Sequence, residues 1–140
     1  LVMKYEINEA SPRHKETMHI IDLVSKALGI GMATLLGKKR QRNIVDARRV
    51  CYVLLDEKLG LPAIHVGAYF GKDHASIRHH QKAHDVLYKI YPDYKHMYDR
   101  AEKIVNANEY VEYDIHTCVN NMLARIELLE TKVKQYERMG

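Results

Sequence analysis

Apolar residues recur at steps of three and four along most of the chain, and no useful stretch alternates them with polar residues. The pattern therefore predicts an all-α protein. Ser11-Pro12 sets a capping hydroxyl before a proline at the first helical position, and Ile20, Leu23, Val24, Ala27 and Leu28 continue one face until Gly29. A short turn, Met32 to Leu36, leads through Gly37 to the basic stretch Lys38-Lys39-Arg40-Gln41-Arg42. Asn43 is placed to cap the next helix, whose stripe of Ile44, Ala47, Val50, Cys51, Leu54 and Leu55 runs to Leu59-Gly60. Ile64, Val66, Ala68, Tyr69 and Phe70 form a short apolar helix that Gly71 ends. Asp73 caps a further helix with Ser76 at its third position and with Ile77, Ala83 or His84, and Leu87 facing inward. Pro92-Asp93 opens another, with an inner face of Tyr94, Met97, Tyr98, Ala101, Ile104 and Val105.

The last segment changes period. Ile115, Val119, Met122, Ile126, Leu129, Val133 and Tyr136 follow alternating steps of four and three, the seam of a heptad coiled coil. With Val119, Ile126 and Val133 at a and Met122, Leu129 and Tyr136 at d, the β-branched a residues favour a parallel pair. Arg125 and Lys132 would then face Glu130 and Glu137 of a second copy. The expected organisation is a helical module over residues 1–107 and a C-terminal helix over 108–140. That helix serves as a homodimerisation coiled coil or folds back on its own domain.

Composition adds charge and exclusions. Residues 31–91 hold 11 Lys or Arg against 5 Asp or Glu, whereas the whole chain carries only +4, so positive charge gathers in one stretch. Such a cluster suits a polyanion. No apolar run approaches the roughly 18 residues of a membrane helix, and no apolar leader opens the chain, so the expected location is the cytoplasm. Cys51 and Cys118 lack the paired spacing of a zinc or redox motif and are read as small hydrophobes.

The segment from Ile64 to Lys82 has the layout of a helix-turn-helix, in which one short helix braces a second whose N-terminal side chains meet base edges in the major groove. The turn is Gly71-Lys72, the first side chains are Asp73, His74, Ala75 and Ser76, and Arg78, His79 and Lys82 can face phosphates. The run Phe70-Gly71-Lys72-Asp73-His74-Ala75-Ser76-Ile77-Arg78-His79 resembles the signature of the C-terminal DNA-binding domain of the bacterial replication initiator DnaA, whose recognition helix begins Asp-His-Thr-Thr-Val. Leu35-Leu36-Gly37-Lys38-Lys39-Arg40-Gln41-Arg42 resembles the basic loop of the same domain, in the same order and spacing, and the likeness extends over about residues 14–107.

The resemblance implies double-stranded DNA as partner. It places Arg40 in the minor groove, Arg42, Arg48 and Lys82 near phosphates, and Asp73 and His74 at bases in the major groove, and Lys38, Lys39 and Lys72 are counted with them as DNA-binding residues. Ala75 departs from the family's threonine and keeps only a methyl for apolar contact. This chain also lacks a Gly-x-x-x-x-Gly-Lys-Ser/Thr phosphate loop, so the expectation is a DNA-binding module without the AAA+ ATPase, not an enzyme, and needing no cofactor. Its role would lie in replication initiation or transcription regulation. Two other readings compete. His80 and His84, four apart on a helix, could ligate a metal, although no cysteine or carboxylate clearly completes the set, and no metal is expected. Tyr88, Tyr91, Tyr94 and Tyr98 with the heptads could instead hold protein partners.

Overall fold

The computed structural model describes residues 5–108 and 115–139, and among them every regular element is a helix. The chain divides into two units, residues 1–109 and 110–140.

In the first unit, α1 (Pro12–Leu28) starts where Ser11 accepts a hydrogen bond from the Arg13 amide and ends at Gly29, whose φ of 66° only glycine adopts at little cost. A single turn, α2 (Met32–Leu35), precedes the basic loop and α3 (Arg42–Leu59). Asn43 does not cap α3. The helix begins earlier, with Gln41 at the N-cap and its carbonyl accepting from the amides of Ile44 and Val45, so Asn43 lies inside the first turn.

The central element is α3, which packs against α1, α2, α4, α5 and α6. Every residue from Ala47 to Leu55 is consequently buried, including Arg48 and Arg49. Around it lie Ile21, Val24, Leu35, Val66 and Ile77, all at 0% exposure, and each such aliphatic side chain contributes about 1.5–3 kcal/mol on burial. Cys51 packs among them, and burial pushes its thiol pKa up, so it acts as the small hydrophobe that its isolation in the sequence suggested. The Cys118 side chain lies outside the described residues.

α4 (Ala63–Phe70) and α5 (His74–Ile90) pack on each other through a turn of Gly71, Lys72 and Asp73. α6 (Pro92–Ala107) then returns along α1 and α3, burying Tyr94, Tyr98, Ala101 and Val105, with Met97 and Ile104 half-buried. The tyrosine stretch is thus largely internal packing. Tyr94 and Tyr98 are core residues, Tyr88 is half-buried and donates to Asp99, and Tyr91 alone of the four is exposed.

The second unit contains α7 (Ile115–Met139). Val119, Met122, Ile126, Leu129, Val133 and Tyr136 are 45–76% exposed on it, and so are Leu123 and Leu128. The Ile115 side chain is outside the described residues.

Candidate nucleic-acid interface

The turn before α5 is built by two glycines with different duties. Gly71 takes φ 65°, which ends α4 in the left-handed conformation. Gly67, inside α4, lies under the backbone of the turn: its carbonyl accepts from the Lys72 amide at 2.9 Å, and a Cβ on it would collide with the Lys72 carbonyl oxygen. No side chain fits there. Asp73 completes the turn by accepting at 2.8 Å from the Ser76 amide, the cap that its position predicted, which fixes where α5 begins.

With α5 fixed in this way, Lys72, Asp73, His74, Ala75, Arg78, His79 and Lys82 are exposed and Ser76 is half-buried. Ile77 and His84 turn inward, which decides between Ala83 and His84 for the inner face, Ala83 being only half-buried. Upstream, Lys38, Lys39, Arg40, Gln41 and Arg42 are all exposed. The two segments meet: Arg40 of the loop, Lys72 of the turn and Ser76 and His80 of α5 line one cleft of about 250 Å³, floored by Val45, Arg48 and Tyr52 of α3. Arg42 lies apart from that cleft. Its guanidinium sits 5.2 Å from the Tyr91 ring centroid and borders a separate groove of about 640 Å³ between α3, the end of α5 and the start of α6.

Arg48 departs from the expectation of a phosphate contact. It is 5% exposed, and its guanidinium donates to the carbonyls of Leu35 at 2.8 Å, Thr34 at 3.1 Å and Lys39. A buried guanidinium has to be matched by acceptors, and these three carbonyls belong to α2 and the basic loop. The side chain therefore holds the loop against α3, and its geometry is that of a positioning group. The sequence carried a sign of this, since Arg48 lies four residues after Ile44 and three before Cys51, on the apolar stripe itself.

Sequence reasoning gives no sign of Arg49 and reads His80 only as half of a metal pair. Arg49 is 9% exposed, pairs with Asp46 at 2.8 Å, lies 5.7 Å from the Tyr94 ring centroid and hydrogen-bonds His80 Nδ1 at 3.1 Å, while its Nε is buried without a partner. Burial, with Arg49 next in weight, lowers the pKa of His80. The pKa of His84 is lowered mainly by burial, and its Nδ1 shares a 2.7 Å hydrogen bond with the Tyr94 hydroxyl. The two histidines weighed as a metal pair are thus each engaged by a different neighbour. Among the described residues no three His, Cys, Asp or Glu side chains gather as a metal site would require.

Comparison with known proteins falls on this same region. The family model described as the bacterial dnaA protein helix-turn-helix matches residues 17–83, from α1 into the third turn of α5. A chromosomal replication initiator protein DnaA from Leptospira biflexa is 32% identical over 60 residues, which is 43% of this chain and 14% of that protein. Proteins of the same name from Neisseria meningitidis and Neisseria gonorrhoeae are 35% identical over 82 residues, 58% of this chain and 16% of theirs. The chain thus spans about one-seventh of the length of these relatives, and the match does not extend to their ATPase module. Over residues 17–83 this all-helical chain resembles the helix-turn-helix domain at the C-terminal end of the bacterial replication initiator DnaA.

Proposed function

We propose that this chain is a sequence-specific double-stranded DNA-binding protein that sets α5 in the major groove and the basic loop in the adjacent minor groove. The observation that carries this reading is the shared cleft: Arg40 of the loop and Lys72 and Ser76 at the head of α5 are neighbours, so one duplex can engage both. In this reading Arg40 enters the minor groove, and Lys38, Lys39, Arg42, Lys72, Arg78, His79 and Lys82 neutralise or bond phosphates. Asp73, His74 and Ala75 face base edges, with the second oxygen of Asp73 available beside its capping bond. Arg48 acts behind them by holding the loop. The chain needs no cofactor, and binding is its activity. The relatives' printed name, chromosomal replication initiator, supports a role in replication initiation. Control of transcription is the alternative role within the same proposal, and the cytoplasm its proposed location.

The α7 seam supports a homodimer. In this account residues 1–107 form the DNA-binding domain and 108–140 the dimerisation helix. Six apolar side chains at heptad spacing, all exposed, make a stripe that a second copy would cover. No described helix is long and apolar enough to cross a membrane. A mobility-shift titration on mixed-sequence duplex at low salt tests the DNA reading, which predicts a shift that fades steeply as salt rises. Absence of any shift at low salt would overturn it and favour a protein-interaction module working through α7.

A further inference from the structure

We propose that His80 is itself a DNA contact, donating from a neutral ring to a phosphate oxygen seated in the cleft between the basic loop and α5. The proposal rests on the DNA-binding reading above. A guanidinium has donors only, so in the 3.1 Å bond between Arg49 Nη2 and His80 Nδ1 the imidazole nitrogen is the acceptor. That bond fixes the tautomer. Nδ1 is occupied by an incoming hydrogen, the ring's own proton sits on Nε2, and a second proton would have to displace Arg49. Arg49 is itself anchored by Asp46 at 2.8 Å and stacked on Tyr94, so it cannot readily swing away.

The charged surroundings act in the same sense. Burial and the cations Arg49, Lys72 and neighbouring His79 lower the His80 pKa, and among the nearby groups only Asp46, already paired with Arg49, raises it. Arg40 and Arg48 line the same cleft. His80 therefore offers a donor without a charge.

The ligand class follows from the walls. The cleft is lined by Arg40, Lys72, Ser76 and His80 over a floor of Val45, Arg48 and Tyr52, with three cationic residues and no carboxylate, which suits a phosphate oxygen. His80 lies one turn beyond Ser76, toward α3 and the loop, whereas His74 and Ala75 stand exposed on the first turn. It is thus placed at the flank of the helix along which a DNA backbone would run.

Salt dependence separates this contact from a cationic one. A neutral donor releases no counterion, whereas each neutralising lysine or arginine adds about 0.9 to the log-log slope. With the full chain and a mixed-sequence duplex, His80→Leu is expected to weaken binding about three- to tenfold at every salt concentration, giving a line parallel to that of the wild type. His80→Gln, whose amide N–H can stand in for Nε2–H, is expected to stay within about twofold of wild type. Lys72→Ala lowers the slope instead. Nitrogen-15 NMR of the full chain at pH 6.5 should show a neutral Nε2–H ring at His80 before and after DNA addition, with the Nε2 signal moving on binding.

Equal affinity for wild type and His80→Leu overturns the proposal while leaving the DNA reading intact. A His80→Leu line of reduced slope, or an imidazolium at His80 in the complex, overturns the neutral donor. An Nε2 signal that DNA leaves unmoved overturns the contact, and that measurement decides the matter should His80→Leu fail to fold. A wild-type chain that shifts no duplex overturns both readings together.

Discussion

Gly67 of α4 lies directly beneath the Lys72 carbonyl, so near that a Cβ at position 67 would overlap the carbonyl oxygen, and it also accepts the Lys72 amide at 2.9 Å. The angle at which α5 leaves α4 is thereby set by the absence of one methyl group. Gly67→Ala forces backbone apart, and the expected cost is about 1–3 kcal/mol or more, since the obstacle is main chain and cannot rotate away. Thermal denaturation should show the loss of stability. Mobility shift should show a loss of DNA affinity exceeding what the unfolded fraction explains. A Gly67→Ala protein that melts and binds like wild type would show that the turn is not fixed there.

Arg48 and Arg42 are predicted to fail in different ways. Replacing Arg48 by Met removes the donor that joins the carbonyls of Thr34 and Leu35 in α2 to that of Lys39 in the loop and should destabilise the first unit by about 2–4 kcal/mol, because a group bonded to several acceptors is lost at once. Arg48→Lys should recover little, since a single ammonium cannot match the fork that spans these carbonyls. Any folded Arg48 variant should bind DNA more weakly with the salt slope retained. Arg42→Ala and Lys82→Ala should each reduce the slope by about 0.9. A reduced slope for Arg48→Met, which removes the charge, would return Arg48 to direct phosphate contact.

Base preference should reside in few positions. Replacing Arg40 or His74 is expected to change which duplexes are selected from a random pool, at about 1–3 kcal/mol for each hydrogen bond to a base that is removed. Ala75 is exposed on the first turn of α5. Ala75→Thr restores a hydroxyl there and should sharpen selection at a single base pair by roughly 5- to 150-fold. Identical selected sites for the two proteins would show that position 75 faces no base.

Stability should fall on mild acidification. His80 and His84 both have lowered pKa values in the folded chain, with burial the first cause in each. The unfolded chain, with ordinary histidines near pH 6.5, then binds more protons than the folded one as the pH drops below that value. Their contribution is complete above about pH 6.5 and is lost as the pH falls toward the folded values. Urea midpoints should accordingly be lower at pH 5 than at pH 7.5, and His84→Gln should flatten part of the difference. Midpoints that rise on acidification would contradict the two directions.

For α7, Ile126→Glu with Leu129→Glu puts charges in the middle of the exposed stripe. If α7 joins two copies, light scattering should report a dimer for the wild type and a monomer for the double variant. The latter should bind DNA more weakly, because tethering two modules raises the effective concentration of the second. A monomeric wild type would remove the dimer and leave the DNA reading standing.

Local chemistry made most of the fold legible in the sequence. Ser11-Pro12, Asp73, Gly29, Gly60 and Gly71 mark helix ends through side-chain caps and left-handed backbone that involve only neighbours in the chain, and the structure uses each of them. The spacing of apolar residues gave the inner faces of α1, α3 and α6 for a similar reason, since a helix presents residues three and four apart on one side. The exposed basic loop and the first turn of α5 were legible as charge and as motif. What the spacing could not give is how many sides of a helix are covered. α3 is surrounded by five others, so a stripe that read as one face became burial all round, and Arg48 and Arg49 passed from a charge cluster into the interior. Once buried, a guanidinium needs partners, and some of these depend on packing between elements: the carbonyls of α2 and the basic loop for Arg48, and His80 of α5 for Arg49, whereas Asp46 is a neighbour of Arg49 on α3 itself. The role of Gly67 and the fixed tautomer of His80 were likewise decided only when α4, α3 and α5 came together, because each depends on a contact that no periodicity encodes.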